Sequence, residues 1–581
     1  MAIKLRLPSV LPALALSLAL LPATRALHAQ TTSTAASDGA PLSLDAATLA
    51  ARLDSVFTPW RGTDRPGCAV GVSHHGNTVL ERAYGMADLE SAATMTPATV
   101  VHSASLSKQV TALAVLLLAR DFKLSLDDDV HRWLPDLPHY RETGGKPITI
   151  RHLLSHSSGL RDFFELLIIA RGRFEEERIT DADATAVINH QKALNFEPGA
   201  EYGYSNTNYL LAAKIVERAS GQRFAAFVAS RILAPLGMTH SRIRDDVTTL
   251  VPGRAVGYTK RGDQWRIDNP NYDVVGPTNM ETTVGDLLLL AENLERPTVG
   301  DSAIVRQMLT PTALTTGDST RYGMGLSLVS DRGLHVAEHE GRDPGFRAYL
   351  GRWLEPKLTV AVLCNSTEPN SVAFGRDVAR LALGPVAPAQ SPAPQRATAP
   401  SDASKALGWA GVYFEPTTRQ VAELTVRNGV LYTDRFTGVR VEALGPRRAR
   451  LIDSPIELAF DSTTPHPGYV VRWSIPNRRA DRFVWRAPIA PALGRAELAD
   501  YAGTYTSAEL DATYRVTAGD STLTLRTGET PGLVARAVFP DGFVSGQYTI
   551  QFVREGGGVA GFEISHPRAR GVAFVRTAPV R

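Results

Sequence analysis

The chain has 581 residues, of which 44% are hydrophobic and 21% charged, a globular composition that excludes a disordered protein, a collagen and a coiled coil. Its formal charge of 62 − 59 = +3 becomes 62 − 3 − 59 = 0 without the first 29 residues, so net charge predicts no nucleic-acid partner. Cys68 and Cys364 are the only cysteines, which excludes a disulfide framework and any Cys-x-x-Cys motif.

The N-terminus has the order of a secretory signal peptide. Lys4 and Arg6 precede the uncharged run Val10–Leu21, and small residues follow as far as Ala29. The alternative is a membrane anchor, but this run is shorter than the roughly 18 to 20 apolar residues that a spanning helix needs. Residues 1–29 are therefore expected to be cleaved, which predicts a periplasmic or secreted protein without a transmembrane segment.

A break in composition divides the mature chain. Residues 385–404 (PVAPAQSPAPQRATAPSDAS) have almost no large apolar side chain and predict an extended linker. Before the linker, strand-like runs such as CAVGVSHHG and LTVAVLCNS bracket a middle rich in helical patterns. These patterns predict one α/β domain over residues 30–384, in which the N- and C-terminal strands share a sheet.

After the linker, short alternating strands with Gly, Asp and Pro turns predict an all-β region. The motif WAGVY at Trp409 recurs as YAGTY at Tyr501, an offset of 501 − 409 = 92 residues. Two β modules are expected, over residues 405–490 and 491–581, and both are expected to shape access to the site without carrying a catalytic group. One larger barrel built from both halves is the alternative.

A candidate nucleophile lies in the first domain. The Gly-x-Ser-x-Gly motif of α/β-hydrolases is absent, but Ser105-Leu106-Ser107-Lys108 places a serine three residues before a lysine at the start of an apolar helical run. Residues i and i+3 share one face of a helix, so the hydroxyl and the amine can come within hydrogen-bond distance. Alone, the pair is equally typical of an N-cap serine with a solvated lysine.

Two further motifs follow in the chain. Tyr204-Ser205-Asn206 is the only Tyr-x-Asn and lies between a Gly- and Pro-containing loop and a helical pattern. His339-Glu340-Gly341 lies on a predicted strand, where Gly341 is expected to let a substrate approach the backbone closely. Together the three motifs predict that these side chains meet in one cleft.

On the stretches HSASLSKQVTA, ITIRHLLSHSSGL, FEPGAEYGYSNTNYLLAAKIVE and AEHEGRDPGF, the chain resembles the penicillin-binding protein and class C β-lactamase-like superfamily of serine hydrolases. The similarity is greatest to the branch of D-aminopeptidases, D,D-peptidases and esterases, over about Leu44 to Leu383. It implies a mixed α+β fold, with an antiparallel sheet flanked by helices and an all-helical subdomain. The C-terminal modules are then expected to be lipocalin-like β-barrels.

The resemblance also implies roles for individual residues. Ser105 is the expected acylated nucleophile, and Lys108 with Tyr204 forms the base system. Asn206 is expected to hold a substrate carbonyl, and the backbone N–H groups of Ser105 and Arg342 to form the oxyanion hole. No counterpart of the acidic deacylation residue of class A enzymes is evident, which favours Tyr204 as the base.

This chain departs from the Lys-Thr-Gly pattern of β-lactamases at His339. An imidazole replaces a fixed ammonium there, which makes β-lactamase activity the weaker expectation. If His339 relays a proton, its imidazole must be neutral, so activity is expected to fall as the pH drops through its reference pKa of about 6.5. Arg342 is expected to meet either a substrate carboxylate or Asp343.

Three secondary expectations concern the same domain. The stretch Arg161–Glu197 predicts a lid. His152 and His156 have the spacing of a zinc-binding helix without its glutamate, so neither a metal nor a cofactor is expected. Cys68 and Cys364 lie on strands that the resemblance makes neighbours, as two thiols or as one disulfide.

The function expected is an exported serine hydrolase that forms an acyl-enzyme with a D-amino-acid peptide, an amide or a small ester. The alternatives are a β-lactamase or D,D-carboxypeptidase, an inactive relative that binds cell-wall peptides, and a metal hydrolase. The expected partner is a small-molecule or peptide substrate. Neither the substrate itself nor the oligomeric state can be predicted from the sequence.

Overall fold

The computed structural model describes residues 42–43, 45–172, 177–385, 407–434, 438–452, 456–461, 468–473, 481–489 and 492–577. The predicted signal peptide, and residues 386–404 of the predicted linker, lie outside these ranges. No helix in the described ranges is long and apolar enough to span a membrane.

The helices among the described residues fall mainly in the N-terminal two thirds of the chain. They are α1 Ala46–Val56, α2 Ser107–Arg120, α3 Ile150–Leu154, α4 Phe163–Arg171, α5 Asp181–Asn189, α6 Asn206–Ser220, α7 Phe224–Val228, α8 Ala234–Leu236, α9 Val284–Glu292, α10 Ser302–Met308, α11 Ser371–Leu383 and α12 Arg495–Leu498. Helix α2 is buried over nearly its whole length, as expected of an apolar run without a polar face.

Thirteen strands of the described chain precede the linker. They are β1 Cys68–His74, β2 Asn77–Tyr84, β3 Met86–Asp88, β4 Ala93–Thr94, β5 Val101–His102, β6 Arg242–Ile243, β7 Tyr258–Arg261, β8 Gln264–Ile267, β9 Met280–Thr282, β10 Ser327–Asp331, β11 Leu334–Asp343, β12 Phe346–Trp353 and β13 Leu358–Cys364. Six of them form the main antiparallel sheet in the order β10-β11-β12-β13-β1-β2. The N- and C-terminal strands therefore share one sheet, as predicted.

The sheet is covered on both faces. Alternate side chains of β13 belong to two buried clusters, one shared with α1 and α11 and the other with α2 and α9, so the whole strand is buried. Cys68 of β1 stands opposite Cys364 of β13, and the two form a disulfide. The structure therefore has one disulfide, and not two free thiols.

In the described part of the C-terminal region, sixteen strands form two separate closed barrels of eight antiparallel strands, rather than one larger barrel. The first barrel contains β14 Gly411–Glu415, β15 Gln420–Arg427, β16 Val430–Thr433, β17 Val439–Gly445, β18 Arg448–Leu451, β19 Ile456–Phe460, β20 Tyr469–Trp473 and β21 Asp481–Arg486. The second contains β22 Gly503–Ser507, β23 Ala512–Ala518, β24 Thr522–Thr527, β25 Leu533–Phe539, β26 Gly542–Ser545, β27 Tyr548–Glu555, β28 Gly558–His566 and β29 Ala569–Arg576.

The WAGVY/YAGTY repeat opens each barrel in the same way. The Tyr413 hydroxyl donates a hydrogen bond to the carbonyl oxygen of Trp409 (2.7 Å), and the Tyr505 hydroxyl donates to that of Tyr501 (2.8 Å). Each bond ties the first strand of a barrel to the short 3₁₀ turn before it. The sequence repeat is therefore a structural repeat.

The second barrel packs against the segment predicted to be a lid. The hydroxyl of Tyr514, in β23, donates to the carbonyl oxygen of Ile169 at the end of α4 (2.6 Å). Arg161 forms a buried ion pair with Glu509 (2.7 Å). Because removing one partner of a buried ion pair is strongly destabilising, this contact ties the barrel to the hydrolase domain. The described part of the segment is docked on the second barrel, and its helix α4 lines a cleft of the hydrolase domain.

Candidate active site

Ser105 lies in a 3₁₀ turn, Ala104–Leu106, that leads directly into α2. Ala104 has a positive φ of 49°, and a Cβ added to Gly341 of β11 would lie 2.4 Å from the carbonyl oxygen of Ser103. The turn is thus packed so closely on β11 that only glycine fits at position 341. The close approach observed at Gly341 is made by the serine-bearing turn, and the approach of a substrate to this backbone stays a prediction.

Lys108 reaches Ser105 from one turn further along. Its Nζ lies 3.0 Å from Ser105 Oγ, 2.8 Å from Asn206 Oδ1 and 2.9 Å from the carbonyl oxygen of Pro277. The side chain has 0% exposure, and burial lowers the pKa of Lys108 to about 7 although the charge of Asp343 opposes this shift. A large fraction of Lys108 is therefore neutral near neutral pH.

The hydrogen-bond partners of Lys108 orient the neutral amine. Asn206 Oδ1 and the Pro277 carbonyl can only accept, so they take the two N–H groups of the neutral form. The remaining lone pair then points at the hydroxyl of Ser105. The geometry suits Lys108 as the proton acceptor.

Tyr204 contacts the same serine from the opposite side. Its hydroxyl donates to Ser105 Oγ at 2.9 Å, and its ring centroid lies 4.8 Å from Lys108 Nζ. Burial raises the pKa of Tyr204 well above its ordinary value, while the charge of Arg568 and the hydrogen bond with Ser105 act in the opposite direction. Tyr204 is therefore a phenol near neutral pH, which differs from its expected role as the base.

Asn206 is held between two groups of the site. Its Oδ1 accepts from Lys108, while its Nδ2 donates to Asp162 Oδ2 at 2.9 Å. Asp162 also accepts from the Asn206 backbone N–H (2.7 Å) and from the first turn of α4, where it is the N-cap. The amide is fixed in orientation, and its second N–H is the group that remains for a substrate carbonyl.

His339 lies behind Tyr204 and is 4% exposed. Its Nδ1 is 2.6 Å from the carbonyl oxygen of Glu340, so Nδ1 carries the proton and Nε2 accepts from the Tyr322 hydroxyl at 3.0 Å. Burial lowers the pKa of His339 to about 3, and the charge of Lys108 adds to the shift. His339 is thus a neutral supporting residue, and not the group titrating near 6.5 that the sequence predicted.

The side chain of Arg342 is 64% exposed and pairs with Glu340 at 3.0 Å. Asp343, the predicted ion-pair partner of Arg342, instead lies 2.7 Å from His102 Nε2 in a buried cluster. Strand β10 pairs with β11 only as far as Glu338, so the following backbone faces the turn that carries the nucleophile. The oxyanion hole of the Ser105 and Arg342 N–H groups stays a prediction.

The second barrel contributes a residue that the sequence did not indicate. The hairpin between β28 and β29 places the guanidinium carbon of Arg568 4.9 Å from the ring centroid of Tyr204. Arg568, Asn206 and Phe164 line a cleft of about 460 Å³. Phe163, the residue before Phe164, is buried in the core and does not line this cleft. The second barrel therefore borders the cleft, in keeping with the expectation that the β modules shape access to the site; that they carry no catalytic group stays a prediction.

The two histidines with zinc-helix spacing serve local structure. Nδ1 of His152 accepts from the Thr149 N–H, and Nδ1 of His156 accepts from the Ser205 N–H that follows Tyr204. Among the described residues, no group of three or more His, Cys, Asp or Glu is arranged to hold a metal ion.

The antiparallel sheet, the buried helix α2 and the contacts among Ser105, Lys108 and Tyr204 define a serine hydrolase of the β-lactamase fold. Residues 50–384, more than half of the chain, match the Beta-lactamase family. The chain belongs to this family.

Relatives extend the likeness beyond the catalytic domain. A D-aminopeptidase of Cereibacter sphaeroides (strain KD131 / KCTC 12085) is 27% identical over 552 residues, which cover 92% of this chain and 100% of that protein. A D-aminopeptidase of Brucella canis is 28% identical over 396 residues, 68% of this chain and 71% of that protein. The octameric penicillin-binding protein homologue from Pyrococcus abyssi shares the fold with a TM-score of 0.53 and 22% identity, covering 76% of this chain and 100% of its own.

Proposed function

We propose that this serine hydrolase acts through an acyl-enzyme at Ser105 on D-amino-acid peptides, amides or small esters. The observation that carries the proposal is the pair of contacts at Ser105 Oγ, with the buried amine of Lys108 on one side and the protonated hydroxyl of Tyr204 on the other. The similarity to two D-aminopeptidases supports the D-amino-acid class.

In this mechanism, neutral Lys108 takes the proton of Ser105 as Oγ attacks the substrate carbonyl carbon. Tyr204 gives its proton to the departing amine or alcohol, and Lys108 restores the proton of Tyr204. An ester then joins the acyl group to Ser105. Water hydrolyses that ester with the same residues acting in reverse, so that no cofactor is required.

The test is turnover by the purified full chain of D-alanine p-nitroanilide, L-alanine p-nitroanilide, p-nitrophenyl butyrate and nitrocefin. We expect ester hydrolysis and a D-over-L preference of about tenfold or more, since a difference of 1.4 kcal/mol in transition-state binding suffices for that. Equal D and L rates would contradict the D-amino-acid class. A faster rate with nitrocefin than with every other compound would favour the β-lactamase alternative.

We also propose that the protein is exported with cleavage near residue 29. The charged and apolar order of the N-terminus supports this, and so does the disulfide between Cys68 and Cys364, because disulfides persist mainly in oxidising compartments. When the full chain is expressed in a Gram-negative host, the periplasmic fraction should contain a protein lacking the first 29 residues by intact mass. Recovery of only the uncleaved chain in the cytoplasm would contradict export.

A further inference from the structure

The hairpin that joins β28 to β29 is fastened to the hydrolase domain at Arg568 and at Arg570. The carbonyl oxygen of Arg568 accepts from the backbone N–H of Asp162 (3.0 Å) and from Asn195 Nδ2 (2.9 Å). The next basic residue, Arg570, donates its backbone N–H to Asn195 Oδ1 (2.8 Å) and pairs with Glu201 (3.2 Å). The backbone at Arg568 is therefore fixed relative to the nucleophile.

The side chain of Arg568 has no such partner. It is half-buried, lines the cleft beside Asn206 and contacts the face of Tyr204, whose hydroxyl lies 2.9 Å from Ser105 Oγ. Within the described ranges, its guanidinium forms no hydrogen bond or ion pair. A guanidinium offers five N–H donors in a planar fork that matches a carboxylate.

The acidic groups whose charge acts on Arg568 are engaged elsewhere. They are Asp162 and Glu165. Asp162 holds Asn206 and the first turn of α4. Glu165 lies 3.3 Å from His566 Nδ1, and burial raises the pKa of its carboxyl to about 7. The cleft therefore presents a cation whose donors are not used by the protein.

The other arginines of this cleft differ from Arg568. Arg342 pairs with Glu340, and Arg347 donates to the carbonyl oxygens of Asp343 and Phe346. Arg261, on β7, is exposed to solvent, where a charge–charge contact contributes little. Arg568 alone of these four combines partial burial with contact to a residue of the nucleophile's site.

We propose that Arg568 binds a carboxylate of the substrate, so that the hydrolase prefers a substrate with an anionic group over its neutral counterpart. This rests on the proposed function and names its substrate class. The specificity determinant is supplied by the second barrel, which explains why that hairpin is anchored so firmly. A substrate ammonium at the same place would face an unpaired cation.

The test uses two matched pairs of substrates that differ only in charge. One pair carries the charge on the leaving group: N-acetyl-D-alanyl thioglycolate and its methyl ester. The other pair carries the charge on the acyl group: the p-nitrophenyl monoester of adipic acid and its methyl ester. Wild-type protein is expected to favour the anionic member of at least one pair by about tenfold or more in kcat/KM, as for other charge-assisted hydrogen bonds.

Arg568→Met is expected to abolish this preference, because kcat/KM should fall about tenfold more for the anionic member than for its neutral partner, mainly through a higher KM. Arg568→Lys keeps the charge but not the fork, and should retain part of the preference. The matched control is Arg261→Met, which removes an exposed cation of the same cleft and should leave the preference intact.

Three results would overturn the proposal: no preference for the anion in either pair, an equal loss for both members in Arg568→Met, or an unchanged preference in that variant. The second result would assign Arg568 to the electrostatics of Tyr204 instead. A fluorophosphonate probe separates this from failure of the proposed function. If Ser105 of the wild-type protein is labelled but the protein shows no charge preference, only the carboxylate site is refuted. If Ser105 is not labelled, the hydrolase mechanism is refuted.

Discussion

Ser105→Ala is expected to lower kcat/KM for p-nitrophenyl butyrate by roughly 10⁴-fold or more and to abolish covalent labelling by a fluorophosphonate. The change removes the attacking oxygen and leaves Lys108 and Tyr204 without their shared partner. The fold should persist, because the change removes a single oxygen from a side chain that is only partly buried. The measurements are steady-state rates and the thermal unfolding midpoint of both proteins.

The matched control is Ser107→Ala. The Ser107 hydroxyl donates to the carbonyl oxygen of Ala104 and accepts from the N–H of Met280, so it supports the turn without facing the cleft. This variant should lose stability, since a buried hydrogen bond contributes about 1 kcal/mol, but should keep covalent labelling. Labelling that survives Ser105→Ala and disappears in Ser107→Ala would mean that the nucleophile has been misidentified.

Lys108→Met is expected to lower kcat/KM by about 10²- to 10⁴-fold, the usual contribution of a general base. Lys108→Arg should be as impaired, although it keeps the charge, because a guanidinium does not deprotonate in proteins. In wild-type protein the base must be neutral. The acid limb of kcat/KM should therefore fall as the pH drops through about 7, the pKa of Lys108.

The same pH profile measures the part played by His339. With a pKa of about 3, its imidazole is neutral throughout the working range and cannot produce a limb near 6.5. His339→Gln, which can still accept from Tyr322, should leave the limb where it is. A limb that moves or vanishes in His339→Gln, but persists in Lys108→Arg, would reverse the assignment of the base.

Local patterns in the sequence predicted the elements that depend on neighbouring residues. The spacing of Ser105 and Lys108 is a property of a single helical turn, and the structure places their side chains 3.0 Å apart. The strands of the barrels follow from alternation over a few residues. The repeat at Trp409 and Tyr501 favoured two modules, but only the structure decided between two barrels and one larger barrel.

The environment of the site was harder to predict, since it depends on residues distant in the chain. The predicted pH limb near 6.5 did not anticipate the burial of His339 beside Tyr322, which lowers its pKa and cannot be inferred from a strand pattern. Asp162 did carry a signal, as an acidic residue directly before the helical run FFELLII. Arg568 carried none, because it enters the site from a hairpin 568 − 105 = 463 residues away from the nucleophile.

The central claim is an ester between the substrate's acyl group and Ser105. The most direct measurement is rapid mixing of the protein with p-nitrophenyl butyrate, acid quenching within milliseconds to seconds, and peptide mapping by mass spectrometry. We expect one butyryl group on the peptide that contains Ser105-Leu106-Ser107-Lys108, with fragment ions that place it on Ser105 and no adduct in Ser105→Ala. A butyryl group on any other residue, or turnover in which the quenched protein never carries one, would contradict the account.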